Sequence, residues 1–144
     1  MRDWILEMHE HSSKIQNAIE MDRNDEAWRL VHEFQNWCFE RINAERYSKT
    51  AAGTLLSAPQ TFFIRILVAE GKYKQALIHT IYEGVLDARN LKYYAKSIKS
   101  LFGKCGFKET TAAKAIEYYN YLKSQSYGLD QDFKTIQDVV ASWK

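Results

Sequence analysis

The sequence predicts an all-α protein of six to seven helices, folded as a single domain over residues 1–144. The chain has only 1 proline and 6 glycines, so few positions interrupt a helix. Apolar residues recur at helical spacing in most segments, and no convincing pair of strands is found. Hydrophobic residues make up 46% of the chain, which is enough for one sizeable core.

The first predicted helix runs from about Asp3 to Met21, because Ile5, Met8 and Ile15 lie on one face. The segment "DRND" then ends it. Asn24 or Asp25 is expected to cap the second helix, whose acidic first turn suits the positive end of a helix dipole. The apolar stripe of this second helix consists of Ala27, Leu30, Val31, Phe34, Trp37, Cys38 and Ile42.

Residues 44–58 show the weakest pattern in the chain. They are expected to form a long loop or a short helix, since Gly53 disfavours a long uninterrupted one. Ser57 and Gln60 have the spacing of a capping box, and Pro59 would be tolerated in a first turn. The following "TFFIRILVA" is therefore predicted to be a short buried helix, because a lone strand could not satisfy its backbone.

The rest of the chain predicts four more helices separated by turns. They are expected in "YKQALIHTIYEGVLDARN", "LKYYAKSIKSLF", "KETTAAKAIEYYNYLKSQ" and the C-terminal segment after Asp130, which would cap it. The segment "GKCGF" is expected to be a turn because it has two glycines. Helices joined by short turns pack as antiparallel neighbours, either as a stack of hairpins or as a closed bundle.

The stretch "AEGKYKQALIHTIYEG" places Gly71, Tyr73, Ala76 and Leu77 in a G-x-Y-x-x-A-L pattern. Over roughly residues 60–90 this hairpin resembles the tetratricopeptide repeat. The resemblance implies that the glycine permits a tight turn between two helices, that the tyrosine packs on the hairpin and that the alanine lets the helices approach.

The chain departs from the pattern of that family at several positions. Ile64 stands at a position that is usually small, Thr80 and Glu83 stand where an aromatic residue and an alanine are usual, and position 88 is not proline. Similar helix starts occur around Ala27, Ala76 and Ala115, which are 49 and 39 residues apart. The repeat period of the family is about 34 residues. The predicted fold is thus a stacked, tetratricopeptide-like array, with a closed helical bundle as the alternative.

The histidines do not form a predicted metal site. His9 and His11 point about 200° apart on a helix, so they would not face one ion. His32 and His79 are likewise not expected to be metal ligands. All four are expected at the surface or as caps, and no metal or cofactor is predicted.

No catalytic residues are predicted, and the protein is expected not to be an enzyme. The chain has neither a phosphate-binding glycine loop nor a defensible pair of acid–base carboxylates. Cys38 lies on an apolar stripe, where a thiol stays protonated. Cys105 is expected in a turn beside Lys104, which would lower its pKa, and it is the one thiol worth testing.

Charge is distributed unevenly along the chain. Residues 1–43 contain five basic and nine acidic residues, a net −4, and residues 65–104 contain eight and three, a net +5. Lys92, Lys96 and Lys99 recur along one face of the fifth predicted helix, with Tyr93 beside them. Such a stripe could bind the phosphates of a nucleic acid or an acidic segment of a protein. The alternative is an ordinary solvent-exposed helix face without a binding role.

Tyrosine is abundant, with nine among the twenty aromatic residues. Tyr118, Tyr119 and Tyr121 cannot all point inward from one helix, and exposed tyrosines are typical of binding surfaces. The predicted partner-binding residues are Lys92, Tyr93, Lys96, Lys99, Tyr118 and Tyr121.

The predicted function is a non-enzymatic protein–protein interaction module (adaptor, chaperone-like or regulatory). It would bind a helix or an extended segment of a partner, or associate with itself. The alternative is a nucleic-acid-associated regulator that uses the basic stripe. Because neither a secretory signal nor a membrane-spanning run is evident, a cytoplasmic location is expected.

Overall fold

The computed structural model describes residues 4–87, 91–125 and 132–143, and the side chains at 91, 92, 109 and 110 lie outside that description. The described residues form seven helices and no strand. The helices are α1 (Trp4–Glu20), α2 (Asn24–Ala44), α3 (Lys49–Ala69), α4 (Tyr73–Leu86), α5 (Leu91–Cys105), α6 (Glu109–Gln125) and α7 (Phe133–Ala141). The all-α prediction is confirmed.

Each of the first five helices packs against the next one in the chain. Helix α4 is central, because it contacts α3, α5, α6 and α7. Within the described ranges, α3 and α5 do not approach each other, and α1 and α2 do not reach α5, α6 or α7. The helices therefore follow one another as an array, with one core cluster around α1–α3 and a second around α4–α7.

Helix α3 corrects the prediction for residues 44–58. It is continuous from Lys49, and Gly53 lies buried within it. The start is set by Ser48, whose Oγ accepts a hydrogen bond of 3.1 Å from the backbone N–H of Ala51. The expected capping box at Ser57 is wrong, because tertiary packing on α2 and α4 outweighs the helix-breaking tendency of Gly53 and Pro59.

Pro59 lies in the interior of α3 rather than in its first turn. Proline has no N–H, so the carbonyl of Leu55 loses its usual partner four residues later. The thiol of Cys38 on α2 donates to this carbonyl at an Sγ–O distance of 3.7 Å. A side chain of the neighbouring helix thus supplies the hydrogen bond that the proline removes.

Gly71 makes the turn between α3 and α4, as predicted. Its φ of +75° lies in the left-handed region, and a Cβ built there would meet nothing within 4 Å. The N–H of Lys72 donates to Leu67 O at 2.9 Å, and the N–H of Gly71 donates to Val68 O at 3.0 Å. Backbone conformation, and not space, therefore requires glycine here.

The start of α2 and the end of α5 differ from the sequence-based expectation. Neither Asn24 nor Asp25 caps α2, because the turn before it is made by Asp22 with a φ of 55° and the capping position is Arg23. The segment "GKCGF" is mostly helical, since α5 continues to Cys105 and the turn begins only at Gly106, whose φ is 73°.

Before α7, the carboxylate of Asp132 accepts from the N–H of Lys134 at 3.0 Å and acts as the cap. Asp130, the predicted cap of this helix, lies outside the described residues. An acidic cap is thus present two residues later than expected, and it precedes the apolar face of α7 as the pattern required.

Gly84 allows α4 and α6 to come together. A Cβ at this position would lie 2.7 Å from Cε1 of Tyr119 and 2.9 Å from Cβ of Tyr94. Both tyrosines are buried in the cluster around α4. The aromatic ring of Tyr119 therefore occupies the space that any larger residue at 84 would need.

Helix α3 is long and apolar enough to cross a membrane by length and composition, with a mean hydropathy of 1.3. Of that stretch, 56% is buried inside the protein, where it packs against α2 and α4. The interior of the fold accounts for its apolar composition.

Candidate binding groove

A groove of about 310 Å³ lies between α3 and α5, with α4 as its floor. It exists because both helices pack on α4 without meeting each other. We call it the α3–α5 groove. Its lining residues are Thr61, Ile64, Arg65 and Val68 of α3, Thr80 and Glu83 of α4, and Tyr93, Tyr94, Ser97, Ser100, Leu101 and Lys104 of α5.

The floor of the groove carries a buried carboxylate. Glu83 is only 4% exposed, and its Oε1 accepts a hydrogen bond of 2.9 Å from the hydroxyl of Thr61. The hydroxyl of Tyr94 donates to Asp87 at 2.7 Å. Burial and the two neighbouring carboxylates raise the pKa of Tyr94 well above its ordinary value, so this hydroxyl stays protonated.

Lys123 of α6 contacts the C-terminal end of α4. Its ammonium donates to the carbonyls of Gly84 at 2.6 Å and Asp87 at 3.1 Å. Burial lowers the pKa of Lys123 to about 8, and the Asp87 carboxylate partly opposes that shift. These contacts satisfy carbonyls that a helix end leaves without partners.

The sides of the groove carry two cations. Arg65 donates to the neutral Oε1 of Gln16 at 2.7 Å, and the ammonium of Lys104 lies 5.6 Å from the ring centroid of Tyr73. Among the described side chains, no carboxylate lies within ion-pair distance of either cation. The walls are thus positive, whereas the carboxylate at the floor is already hydrogen bonded.

A second depression, of about 400 Å³, lies between α1 and α3. We call it the α1–α3 pocket. It is mainly apolar and is lined by Trp4, Met8, Tyr47, Ala51, Thr54, Leu55 and Ala58. Ala51, Thr54 and Ala58 are followed at helical spacing by Thr61 and Arg65 of the groove, so both depressions open on the same side of α3.

The predicted stripe on α5 is divided between two faces. Tyr93 lines the groove and is 56% exposed. Lys96 and Lys99 are exposed and are not among the lining residues. The side chain of Lys92 lies outside the described residues. Among the lysines of α5 whose side chains are described, Lys104, which sequence reasoning placed in a turn, is the one that reaches the groove.

The two predicted tyrosines of α6 are not part of the groove. Tyr121 is 58% exposed. Tyr118 is half-buried, packs edge-on against Trp143 at 6.1 Å between ring centroids, and its hydroxyl has no partner among the described residues. Tyr118 therefore contributes to packing, and its predicted role in partner binding stays a prediction.

His79 corrects the expectation that the histidines lie at the surface. Its ring stacks on Phe63 at 5.1 Å and contacts Phe133 at 4.8 Å between ring centroids, and Nδ1 lies 2.7 Å from Oε1 of Gln60. Burial, with a smaller contribution from His32, lowers the pKa of His79 to about 4. This neutral imidazole is a packing element that joins α3, α4 and α7.

The two histidines of the "HEH" segment, His9 and His11, both belong to α1 but differ in burial. His9 is exposed, and His11 stacks on Phe34 of α2 at 5.3 Å between ring centroids. Burial lowers the pKa of His11. In the part of the chain that the structure describes, no three His, Cys, Asp or Glu side chains are placed to hold a metal ion.

The two thiols differ in position but not in the direction of their pKa. Burial raises the pKa of Cys38 to about 12, as expected for a thiol on an apolar stripe. The expectation for Cys105 is wrong. It is half-buried at the end of α5, and burial raises its pKa despite the opposing charge of Lys74. Neither thiol has the lowered pKa of a reactive cysteine.

Arg65, Lys104 and Glu83 are groove residues that the sequence analysis did not select. Arg65 stands inside an apolar run, and a lone cation there is a signal of an exposed edge. Glu83 was recognised only as a departure from a repeat pattern.

Compared with known proteins, the chain matches no family model, no curated protein and no solved structure.

Proposed function

We propose that the protein is a binding module that holds a segment of a partner protein along the side formed by α1, α3 and α5. The observation that carries this proposal is the alignment of the α3–α5 groove and the α1–α3 pocket along one side of α3. From Ala51 to Val68 this side is about 25 Å long. An extended segment of about eight residues would span it.

The composition of the two depressions supports a peptide as the occupant. The α1–α3 pocket offers apolar surface, and the groove adds hydroxyls from Thr61, Ser97 and Ser100 to an apolar wall. Binding sites for peptides combine such apolar pockets with a few polar groups that fix register. We propose an adaptor, chaperone-like or regulatory role for this kind of site, and a cytoplasmic location.

We further propose that α3 and α4 form a tetratricopeptide-like hairpin. The positive φ of Gly71 and the complete burial of Ala76 support this interpretation. They fit the roles that the resemblance assigns to these residues in the turn and in the helix contact.

The experiment is selection from a random peptide library displayed on phage, followed by binding measurements on the enriched peptides. Ser100→Trp fills the groove from an exposed position and should weaken binding at least tenfold. Lys99→Trp, on the outer side of the same helix, is the matched control and should leave binding unchanged. Equal effects of the two variants, or no enriched peptide, would refute the proposal.

Self-association is the other occupant that this side of α3 could accept. Sedimentation equilibrium of the wild type and of Ser100→Trp separates the two cases. If the wild type is a dimer and Ser100→Trp is a monomer, the occupant of this side of α3 is a second copy of the chain and not a segment of another protein.

A second candidate function is nucleic-acid binding through the outer side of α5. Lys96 and Lys99 are exposed there, and no described carboxylate pairs with them. Oligonucleotide binding should then weaken steeply with salt and be lost when Lys92, Lys96 and Lys99 are all changed to glutamate. Binding that is indifferent to salt would exclude this candidate.

A further inference from the structure

We infer that the segment held in the α3–α5 groove is acidic, with a carboxylate between Arg65 and Lys104 and an aliphatic side chain next to it. This inference rests on the proposed function and specifies the chemistry of the partner. It follows from the charges that line the groove and from the neighbours of each charge.

The two cations stand on opposite walls. Arg65 belongs to α3 and Lys104 to α5, and these helices do not contact each other. Arg65 is held by the uncharged amide of Gln16, and Lys104 rests against the ring of Tyr73. Since neither cation has a described carboxylate as partner, an incoming carboxylate displaces no ion pair.

The carboxylate of the groove does not cancel these charges for a ligand. Glu83 lies at the floor, where it accepts from Thr61. Lys104 lies near Tyr73 at the start of α4. Glu83 is ten residues after Tyr73 on the same helix, about 15 Å further along the helix axis. The positive end of the α4 dipole is also at the Tyr73 end. An acidic residue is thus favoured near Lys104 and disfavoured near Glu83.

The aliphatic contact follows from the residues beside the cations. Ile64 and Val68 flank Arg65 on α3, and Leu101 lies one turn before Lys104 on α5. All three line the groove. A segment with an acidic residue next to leucine, isoleucine or valine therefore matches both the charge and the apolar wall.

Parallel peptide selections on three proteins test the inference. The probe is one random nine-residue library, and the proteins are the wild type, Lys104→Glu and the matched control Lys99→Glu. The wild type and the control should enrich peptides with an acidic residue next to an aliphatic one. Lys104→Glu should lose that preference and enrich neutral or basic peptides.

Binding measurements then give the size of the effect. Replacing the acidic residue of an enriched peptide with glutamine should weaken wild-type binding roughly fivefold, as expected for an exposed ion pair. The same replacement should not weaken binding to Lys104→Glu. Lys104→Arg, which keeps the charge, should behave as the wild type.

The outcomes separate this inference from the proposed function. Groove-dependent peptides without an acidic preference, or an identical preference in Lys104→Glu, would overturn the acidic segment and leave the binding module standing. If Ser100→Trp weakens the binding of no enriched peptide, both the acidic segment and the binding module would be overturned. An oligonucleotide that competes with the peptides and depends on Lys104 would show that the groove takes phosphate instead of carboxylate.

Discussion

The hydrogen bond from Cys38 to Leu55 gives a buried cysteine a definite structural task. Pro59 leaves the carbonyl of Leu55 without its helical donor, and a buried carbonyl without any partner costs about 1–3 kcal/mol. The thiol lies 3.7 Å from that oxygen. Cysteine is small, apolar and a weak donor, which suits an apolar stripe that must also satisfy one carbonyl.

A double-mutant cycle tests this pairing. Cys38→Ala should destabilise the protein by about 1–3 kcal/mol, because it removes buried sulfur and the donor. In the background of Pro59→Ala, which restores the N–H, the same change should cost about 1 kcal/mol less. Urea denaturation measures both free energies of unfolding. Strictly additive effects would show that the thiol does not serve the Leu55 carbonyl.

His79 should make the protein sensitive to acid. Its pKa in the folded state is about 4, against an ordinary value of 6.5. Between these values the unfolded chain binds a proton that the folded chain does not bind, so stability falls as the pH decreases from 6.5 to 4. The full loss is about 3 kcal/mol.

Denaturation at a series of pH values measures this loss. His79→Leu should flatten the dependence between pH 6.5 and 4, whereas His9→Gln, at an exposed position of α1, should leave it unchanged. NMR titration of the wild type gives the pKa of His79 directly. A value near 6.5 would contradict the buried, neutral state.

The helix contacts depend on two glycines for opposite reasons. Gly71 supplies a backbone conformation in open space, and Gly84 supplies space in an ordinary helix. The contact of α4 with α6 is therefore set by Tyr119 lying over Gly84, and that of α3 with α4 by the turn at Gly71. Single glycine positions thus determine how α4 packs against α3 and against α6.

Gly84→Ala should destabilise the protein by about 1–3 kcal/mol, because its Cβ would overlap the ring of Tyr119. Gly103→Ala is the matched control. Gly103 is also helical, but a Cβ there meets nothing within 4 Å, so the change should be neutral or stabilise by up to about 1 kcal/mol. Thermal denaturation of both variants gives the comparison. Equal shifts would contradict the close approach of α6.

Taken as a whole, the molecule is an array that α7 closes on one side. Helix α7 returns to α4 instead of packing on α6, and it places Ile136 and Val140 in the core. Phe133 of the same helix contacts both His79 and Tyr82 of α4. The groove side of α4 is left open because α3 and α5 stay apart, whereas its opposite side is covered.

Ile136→Ala should therefore cost about 2–5 kcal/mol, although α7 has only nine residues. Gln137→Ala, at an exposed position of the same helix, should change stability by less than about 0.5 kcal/mol. Chemical denaturation followed by circular dichroism measures both. A small effect of Ile136→Ala would mean that α7 is not part of the cooperative fold.

Most of the fold could be predicted because its helices are amphipathic. The stripes of α2, α5, α6 and α7 have a period that only a helix buries on one side, and these helices are present as expected. Residues 49–58 were mispredicted because the rules applied there concern isolated helices. Gly53 and Pro59 disfavour a helix locally, and contacts with other helices reverse that preference.

The candidate site was predictable only in small part. Tyr93 was selected and does line the groove, but Lys96 and Lys99 face outward and Tyr118 packs against Trp143. A lysine stripe on one helix does not show which face of that helix the neighbouring helices leave exposed. Arg65 and Glu83 could be assigned to one groove only after α3, α4 and α5 were assembled.

By itself, the sequence determined the all-α class with six to seven helices, most of their apolar faces and the turn at Gly71, since these depend on contacts a few residues apart. Tertiary structure alone decided that α3 continues through Gly53 and Pro59, that His79 packs between α3, α4 and α7, and that a groove with cationic walls opens between α3 and α5. The physical reason is that these features arise from packing between residues distant in the chain, where the burial of side chains and the pairing of polar groups outweigh local preference.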